Sequence, residues 1–405
     1  MRFAWAMLVA TGCRGILGIE DPQLVADGAS DGPIDAPAEC ATWHPHFFDP
    51  CAIPAPGRPL VLDAAGSPYT FVTTSGTLQD RTGKTIAATV ARVALAAGGG
   101  DAMVLDLESL TVQASAELDV VGALPFIVAS WDDVTIPGVI DAGSHHLSRV
   151  GAGANAAACT GVGAGVSGDD ALSSGGSGGG GGGALRGSGG DATAGDNGQA
   201  SGGIGGAAIV MPATLVGGCG GGASGSAGAA AVPPATAATR SDGGAGGGAL
   251  LLAARTTVDI PSTGAILAGG AGGSGATTGS ACGGGGGSGG MIALDAPQVM
   301  NLGIVAANGG GGGGSAPFAN SGNAGFDGLA SATPAGGGPP FGGGNCGLGG
   351  GPGGAGTIVA GASGTGADTC GGGGGGGGAG FVIVWASAFT NSAGTISPSE
   401  ILNPP

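Results

Sequence analysis

The residues with chemical potential are few, and most lie in the first third of the chain. Asp132, Asp133 and Asp141 are carboxylates of the kind that glycosidic cleavage uses in pairs. Adjacent residues of a strand face opposite ways, so Asp132 and Asp133 cannot flank one bond, and a solvated turn is expected there. Ser144-His145-His146 sets a hydroxyl beside imidazoles, yet a nucleophile needs a base and an orienting third group that sequence neighbours cannot supply. The sequence therefore predicts a surface loop. Gly325-Phe326-Asp327-Gly328-Leu329 approaches the calcium loop of glycine-rich secreted repeats, but such loops bind as stacked arrays and this one occurs once, so it reads as a turn. Gly-x-Gly-x-x-Gly arises by chance at this glycine content, and no Gly-Lys-Ser/Thr follows. No catalytic residue, metal ligand or cofactor is expected.

The cysteines carry more information. Cys40 and Cys51 bracket Trp43, His44, His46 and Phe48. Two thiolates and two imidazoles suit zinc, whereas in an oxidising compartment the same pair closes a disulfide, which is the favoured expectation. Cys159, Cys219, Cys282, Cys346 and Cys370 each sit within or beside a glycine-rich stretch, as candidate staples for long insertions. Their pairing is not readable from spacing, and five leave one over.

The elements that must position these residues are unusual. Of 405 residues, 100 are glycine and 24 proline, only 9% are charged, and 42% are apolar. Disorder alone does not explain so large an apolar share. The net charge of −17 repels phosphate backbones, so no nucleic-acid partner is expected. No segment carries a sustained helical stripe, while β-branched residues and alternation recur, so the chain reads as all-β. Ser109 to Asp119 resembles Asp133 to Asp141 at a spacing in the low twenties, the length of a solenoid turn. The same pattern of apolar strand, turn, glycine and short apolar strand returns at Ala249–Ala268, Met291–Ala307 and Phe381–Ser397, each launched by a glycine run, with a weaker copy at Ala207–Met211. The fold expected is a right-handed parallel β-helix with long glycine-rich insertions. Those insertions are either flexible loops or ordered polyglycine II, whose missing side chains let neighbouring main chains bond; glycine's high ordering entropy opposes the second, and both stay open.

The beginning of the chain bears on compartment. The apolar run Phe3–Ala10 followed by Ala10-Thr11-Gly12-Cys13 resembles a bacterial lipobox, in which Cys13 would carry the lipid. Asp27, Asp31, Asp35 and Glu39, spaced among small residues and prolines, read as an extended tether. Together with the Cys40–Cys51 segment and Pro54-Ala55-Pro56, these features resemble surface lipoproteins of myxobacteria and related predatory soil bacteria. The glycine tracts are similar in style to those of mycobacterial PE-PGRS proteins, without the helical PE module, and the rungs look like parallel β-helix adhesins. The organisation expected is a signal peptide at 1–12, a tether at 13–39, a clipped segment at 40–55, rungs at 56–150, rungs with glycine insertions at 151–400, and a tail at 401–405. The functional expectation is an exported, lipid-anchored envelope protein with a structural or adhesive, noncatalytic role. The alternatives are a module binding a glycan, ice or another surface ligand, although no Thr-x-Thr ladder is visible, and a polysaccharide-acting β-helix enzyme.

Overall fold

Strand after strand, the chain visits three sheets in rotation. The computed structural model describes residues 38–171, 176–195, 198–226, 240–277, 282–316, 320–340, 348–365 and 371–404. Among the described residues there is no α-helix, only short 3₁₀ turns such as Ala38–Thr42 and Pro50–Ala52. From Asp101–Leu107 in the third sheet the chain passes to Leu110–Val112 in the first and Glu117–Val121 in the second. It then repeats the cycle through Phe126–Ser130, Val134–Thr135 and Val139–Asp141. Three further cycles start at Ala249–Ala254, Met291–Asp295 and Phe381–Trp385, and Ile401–Leu402, in the expected tail, forms the edge strand of the third sheet.

All pairings between successive cycles are parallel, and their registers stack like residues. Met103, Phe126, Leu250, Ile292 and Val382 are register partners along the third sheet. Leu110, Val134, Val258, Val299 and Phe389 run along the first, and Leu118, Ile140, Ile266, Val305 and Ile396 along the second. Most of these side chains are fully buried, and together they form the main core. Because strands in a sheet repeat at about 4.8 Å, each ladder is a column of touching apolar side chains that no single cycle could bury alone.

Two parts depart from the sequence reading. Leu60–Leu62 and Tyr69–Val72 stack in parallel on Leu110–Val112 and Glu117–Val121, but antiparallel pairs, Tyr69–Val72 with Thr77–Gln79 and Thr89–Ala94 with Asp101–Leu107, interrupt the cycle between them and the next strands. Ala207–Met211 forms no strand; Val210 is exposed, while Ile209 and Met211 pack against the third sheet's outer face.

That outer face explains why the third-sheet strands read as unbroken apolar runs. Leu250 and Leu252 point into the main core, while Ala249, Leu251 and Ala253 point the other way into a second core. Trp43, Phe47 and Phe48 of the Cys40–Cys51 segment, with Ile53 just beyond it, cover it from one direction, and Leu185, Leu215 and Val216 pack in the same cluster. Parallel strands buried on both faces lose the alternation that marks half-buried ones.

Candidate functional site

Three regions gather the chain's polar and unusual chemistry. The first is made of glycine main chain. From Gly283 to Gly290 successive amides turn to three neighbouring runs in rotation. Gly283, Gly286 and Gly289 donate to Gly372, Gly375 and Gly378; Gly284, Gly287 and Gly290 donate to Ser274, Ala271 and Ala268; Gly285 and Ser288 donate to Gly222 and Cys219. The carbonyls of the same run accept from three further runs, with Gly180 and Gly183, Gly244 and Gly247, and Gly310 and Gly313 as donors. These bonds measure 2.8–3.0 Å. Buried main-chain groups must be paired, and here every turn of three residues pairs with its surroundings instead of with itself.

Glycine is required sterically as well. A Cβ at Gly182, Gly285, Gly374 or Gly377 would come closer than 3.0 Å to the carbonyl oxygen of Gly376, Gly181, Gly284 or Gly287 respectively. The hydrogens on these α-carbons face oxygens of adjacent runs, a weak attraction that adds to the amide bonds. Among the described residues, the glycine runs are therefore hydrogen-bonded to one another.

The cysteines divide accordingly. Cys40 and Cys51 form the expected disulfide, so their sulfurs are not thiolate ligands and the zinc alternative falls away. Cys159 and Cys219 form a second one across 60 residues, tying two glycine-rich runs together. In the chain-entropy account such a link contributes about 4 kcal/mol. Cys282, grouped in the sequence with the staples, instead has a buried free thiol at hydrogen-bonding distance from the Ser177 carbonyl and hydroxyl, 2.7 and 2.8 Å away. Burial pushes that thiol up to about 11, so it stays protonated and inert. Cys13, Cys346 and Cys370 lie outside the described residues, as do the lipobox and nearly all of the tether.

The second region is an ionic network on the second sheet. Asp119 and Asp141 are register neighbours, and the Arg149 guanidinium pairs with both. His145 lies 3.0 Å through Nε2 from Asp141 and 3.3 Å through Nδ1 from Asp327. Asp327 also accepts from the main-chain amides of His146 and Gly272, at 2.9 and 2.8 Å. Hydrogen bonds to Asp141 and then Asp327 raise His145 to about 9, so it is a cation at neutral pH. Burial alone would push Asp141 and Asp327 up, but the His145 hydrogen bond leads the opposing contributions and both carboxyls are held below the usual range. Glu117 is raised, by burial first and by the neighbouring Asp119 charge second. The carboxylates of Glu117, Asp119 and Asp141 converge within 4.8 Å, a donor set that could attract a divalent cation. Arg149 already pairs with two of the three.

This network gives Asp141, His145, His146 and Asp327 a shared structural task. Sequence reading placed Asp327 in an isolated turn; the structure carries it across the molecule to the His145 loop. Ser144 is not its nucleophile, because its buried hydroxyl donates to Gly246 O and accepts from Gly151 N. Asp132 and Asp133 lie in the turn before Val134, as expected. One buried carboxyl was missed. Asp106, amid the apolar run Ala102–Leu107, accepts from Trp131 Nε1 at 2.9 Å, while its other oxygen has no hydrogen-bond partner. Burial pushes it up to about 6. An acid inside an otherwise apolar strand was the available signal.

The third region is an open groove of about 810 Å³ where the Cys40–Cys51 segment meets the C-terminal ends of three adjacent third-sheet strands. Arg255 follows Ala249–Ala254, Asp295 ends Met291–Asp295, and Trp385 ends Phe381–Trp385. The His46 imidazole stacks on Trp385, with centroids 4.0 Å apart and planes at 11°. Asp295 accepts from the His46 main-chain amide at 2.6 Å and meets its Nδ1 at 2.9 Å. Arg255 pairs with Glu39 at 2.6 Å.

No family model, curated protein or solved structure matches this chain.

Proposed function

We propose that this chain is an exported, lipid-anchored cell-surface protein with a structural or adhesive role and no catalytic one. In this reading its body is a right-handed parallel β-helix and its insertions form a polyglycine II bundle. The rotation of strands through three parallel-rich sheets, with like residues stacked in register, supports the helix. The threefold turning of donors from Gly283 to Gly290 is the hydrogen-bonding order that three-residue extended helices produce.

The observation that carries the role is the glycine mesh itself. A block held by main-chain bonds, in a chain only 9% charged, suits load-bearing or surface contact better than turnover. Two disulfides fit an oxidising compartment. The ionic network around Arg149 spends its carboxylates on fixed cations, which favours a brace over an acid–base pair. The membrane partner in this reading is reached through a lipid on Cys13.

Deletion of the gene tests the role, scored by adhesion, envelope integrity and biofilm formation. The reading expects a defect in at least one, restored by the native chain but not by a Cys13→Ala chain that cannot be lipidated. A deletion strain unchanged in all three overturns it.

A further inference from the structure

We infer that the groove beside the Cys40–Cys51 segment binds a neutral saccharide. The inference rests on the surface-adhesive reading and names where its ligand would sit.

The groove combines the two things that a sugar ring asks of a protein: a flat, weakly polar surface for its C–H face and closely set donors and acceptors for its hydroxyls. The surface is the His46 imidazole. Its side chain is 45% exposed, yet it is held against Trp385 on one face and tied to Asp295 at its edge. A ring fixed this way loses little freedom when something stacks on its outer face. With Nδ1 engaged by Asp295, Nε2 is the remaining polar atom of the ring.

The hydroxyl partners lie on successive strand ends. Asp295 ends one strand opposite Ala253 of the adjacent strand, and Arg255 follows that strand two residues further on, so a carboxylate acceptor and guanidinium donors both line the groove from neighbouring strands. His44 and Ser387, both exposed, line the same groove. A volume of about 810 Å³ exceeds what one small ligand group fills and lies within the range of organic-ligand sites.

Charge decides between neutral and acidic sugars. The Arg255 guanidinium is already paired with Glu39 at the rim, and the Asp295 carboxylate is hydrogen-bonded to His46. The guanidinium that lines the groove is thus engaged before any uronate or sulfate arrives, and the chain's net charge of −17 repels polyanions at long range. Arg255 and Asp295 still offer N–H bonds and lone pairs at their open edges, which is what a neutral polyol uses.

The test titrates the full chain with neutral glucan, xylan, mannan and chitin oligosaccharides and with an oligouronate, followed by calorimetry and by saturation-transfer NMR. The expected result is binding of at least one neutral class and none of the oligouronate. Two variants should each weaken that binding by about tenfold or more: Arg255→Gln, which removes the guanidinium, and Ser387→Phe, which fills the groove from an exposed position without touching the core. Absence of binding by every neutral class overturns the inference, and so does affinity unchanged in both variants. The surface role fails separately. If deletion of the gene leaves adhesion intact while the oligosaccharide still binds, the role falls and the groove stands; if a nonbinding variant restores adhesion fully, the groove is not the adhesive site and the role stands.

Discussion

The strand stack and the glycine bundle solve one problem in opposite ways. Both bury extended main chain away from water, which demands a partner for every amide and carbonyl. The stack meets that demand in sheets and gains its stability from side chains such as Leu118, Leu252 and Val299 that fill the space between them. The bundle meets it by bonding each glycine run to neighbouring runs, and closeness is possible only because side chains are missing. In the first region the side chain is the source of stability; in the second it is the obstacle.

That contrast predicts that removing side-chain carbon from the stack and adding it to the bundle both destabilise. Leu252→Ala removes a fully buried side chain from the stack and should destabilise by about 3–4 kcal/mol, read as a lowered urea midpoint. Gly285→Ala adds a single carbon to the bundle and should destabilise by about 2–3 kcal/mol, because the Gly181 carbonyl must give way. Gly336→Ala is the control: its Cβ would meet only the exposed Phe326 ring, at 3.3 Å, and should cost less than about 0.5 kcal/mol. Equal tolerance of Ala at 285 and 336 would erase the contrast.

Two smaller effects concern charges set at the boundaries of these regions. Asp106 has a folded-state pKa of about 6, above its unfolded value, so the protonated acid is the form that folding favours. Its contribution is fully present below the unfolded pKa and is lost as pH rises through 6. Asp106→Asn should therefore stabilise at pH 8 by about 1–2 kcal/mol after allowance for solvent screening, and little or not at all at pH 4. His145, raised to about 9, contributes stability that is complete below its unfolded pKa near 6.5 and lost as pH rises through 9. His145→Gln should cost about 1 kcal/mol at pH 6, allowing for its partial exposure, and less at pH 10. Thermal unfolding across this pH range checks both signs.

The two regions also differ in how far they could be read from residues alone. Leu110, Val134, Val258 and Val299 announce the stack because a buried ladder needs β-branched or apolar residues at a repeating place, and that repetition is visible in a single chain. The likeness noted between Ser109–Asp119 and Asp133–Asp141 is the register itself, with Leu110 opposite Val134 and Asp119 opposite Asp141. The bundle has no such signal. Its threefold order lives in which neighbour each amide faces, and a run of glycines looks the same whether it is bonded or free. Ala207–Met211 was mistaken for a rung for the same reason, since apolar residues at the margin of a glycine run imitate a short strand. The candidate sites fared less well. Asp327 reaches His145 from 182 positions away in sequence, and Asp295 reaches His46 from 249, so neither contact leaves a local trace. The Cys40–Cys51 link was legible because closely spaced cysteines around aromatic residues form a local motif.

Amide hydrogen exchange of the glycine runs tests the central claim most directly. If the insertions are a hydrogen-bonded bundle, the amides of Gly283–Gly290 should be protected to the same order as those of Ala249–Ala254 in the buried stack, and Gly285→Ala should lower that protection first in the runs it touches. Exchange of Gly283–Gly290 at the rate of an unstructured peptide, with Ala249–Ala254 still protected, would contradict the account.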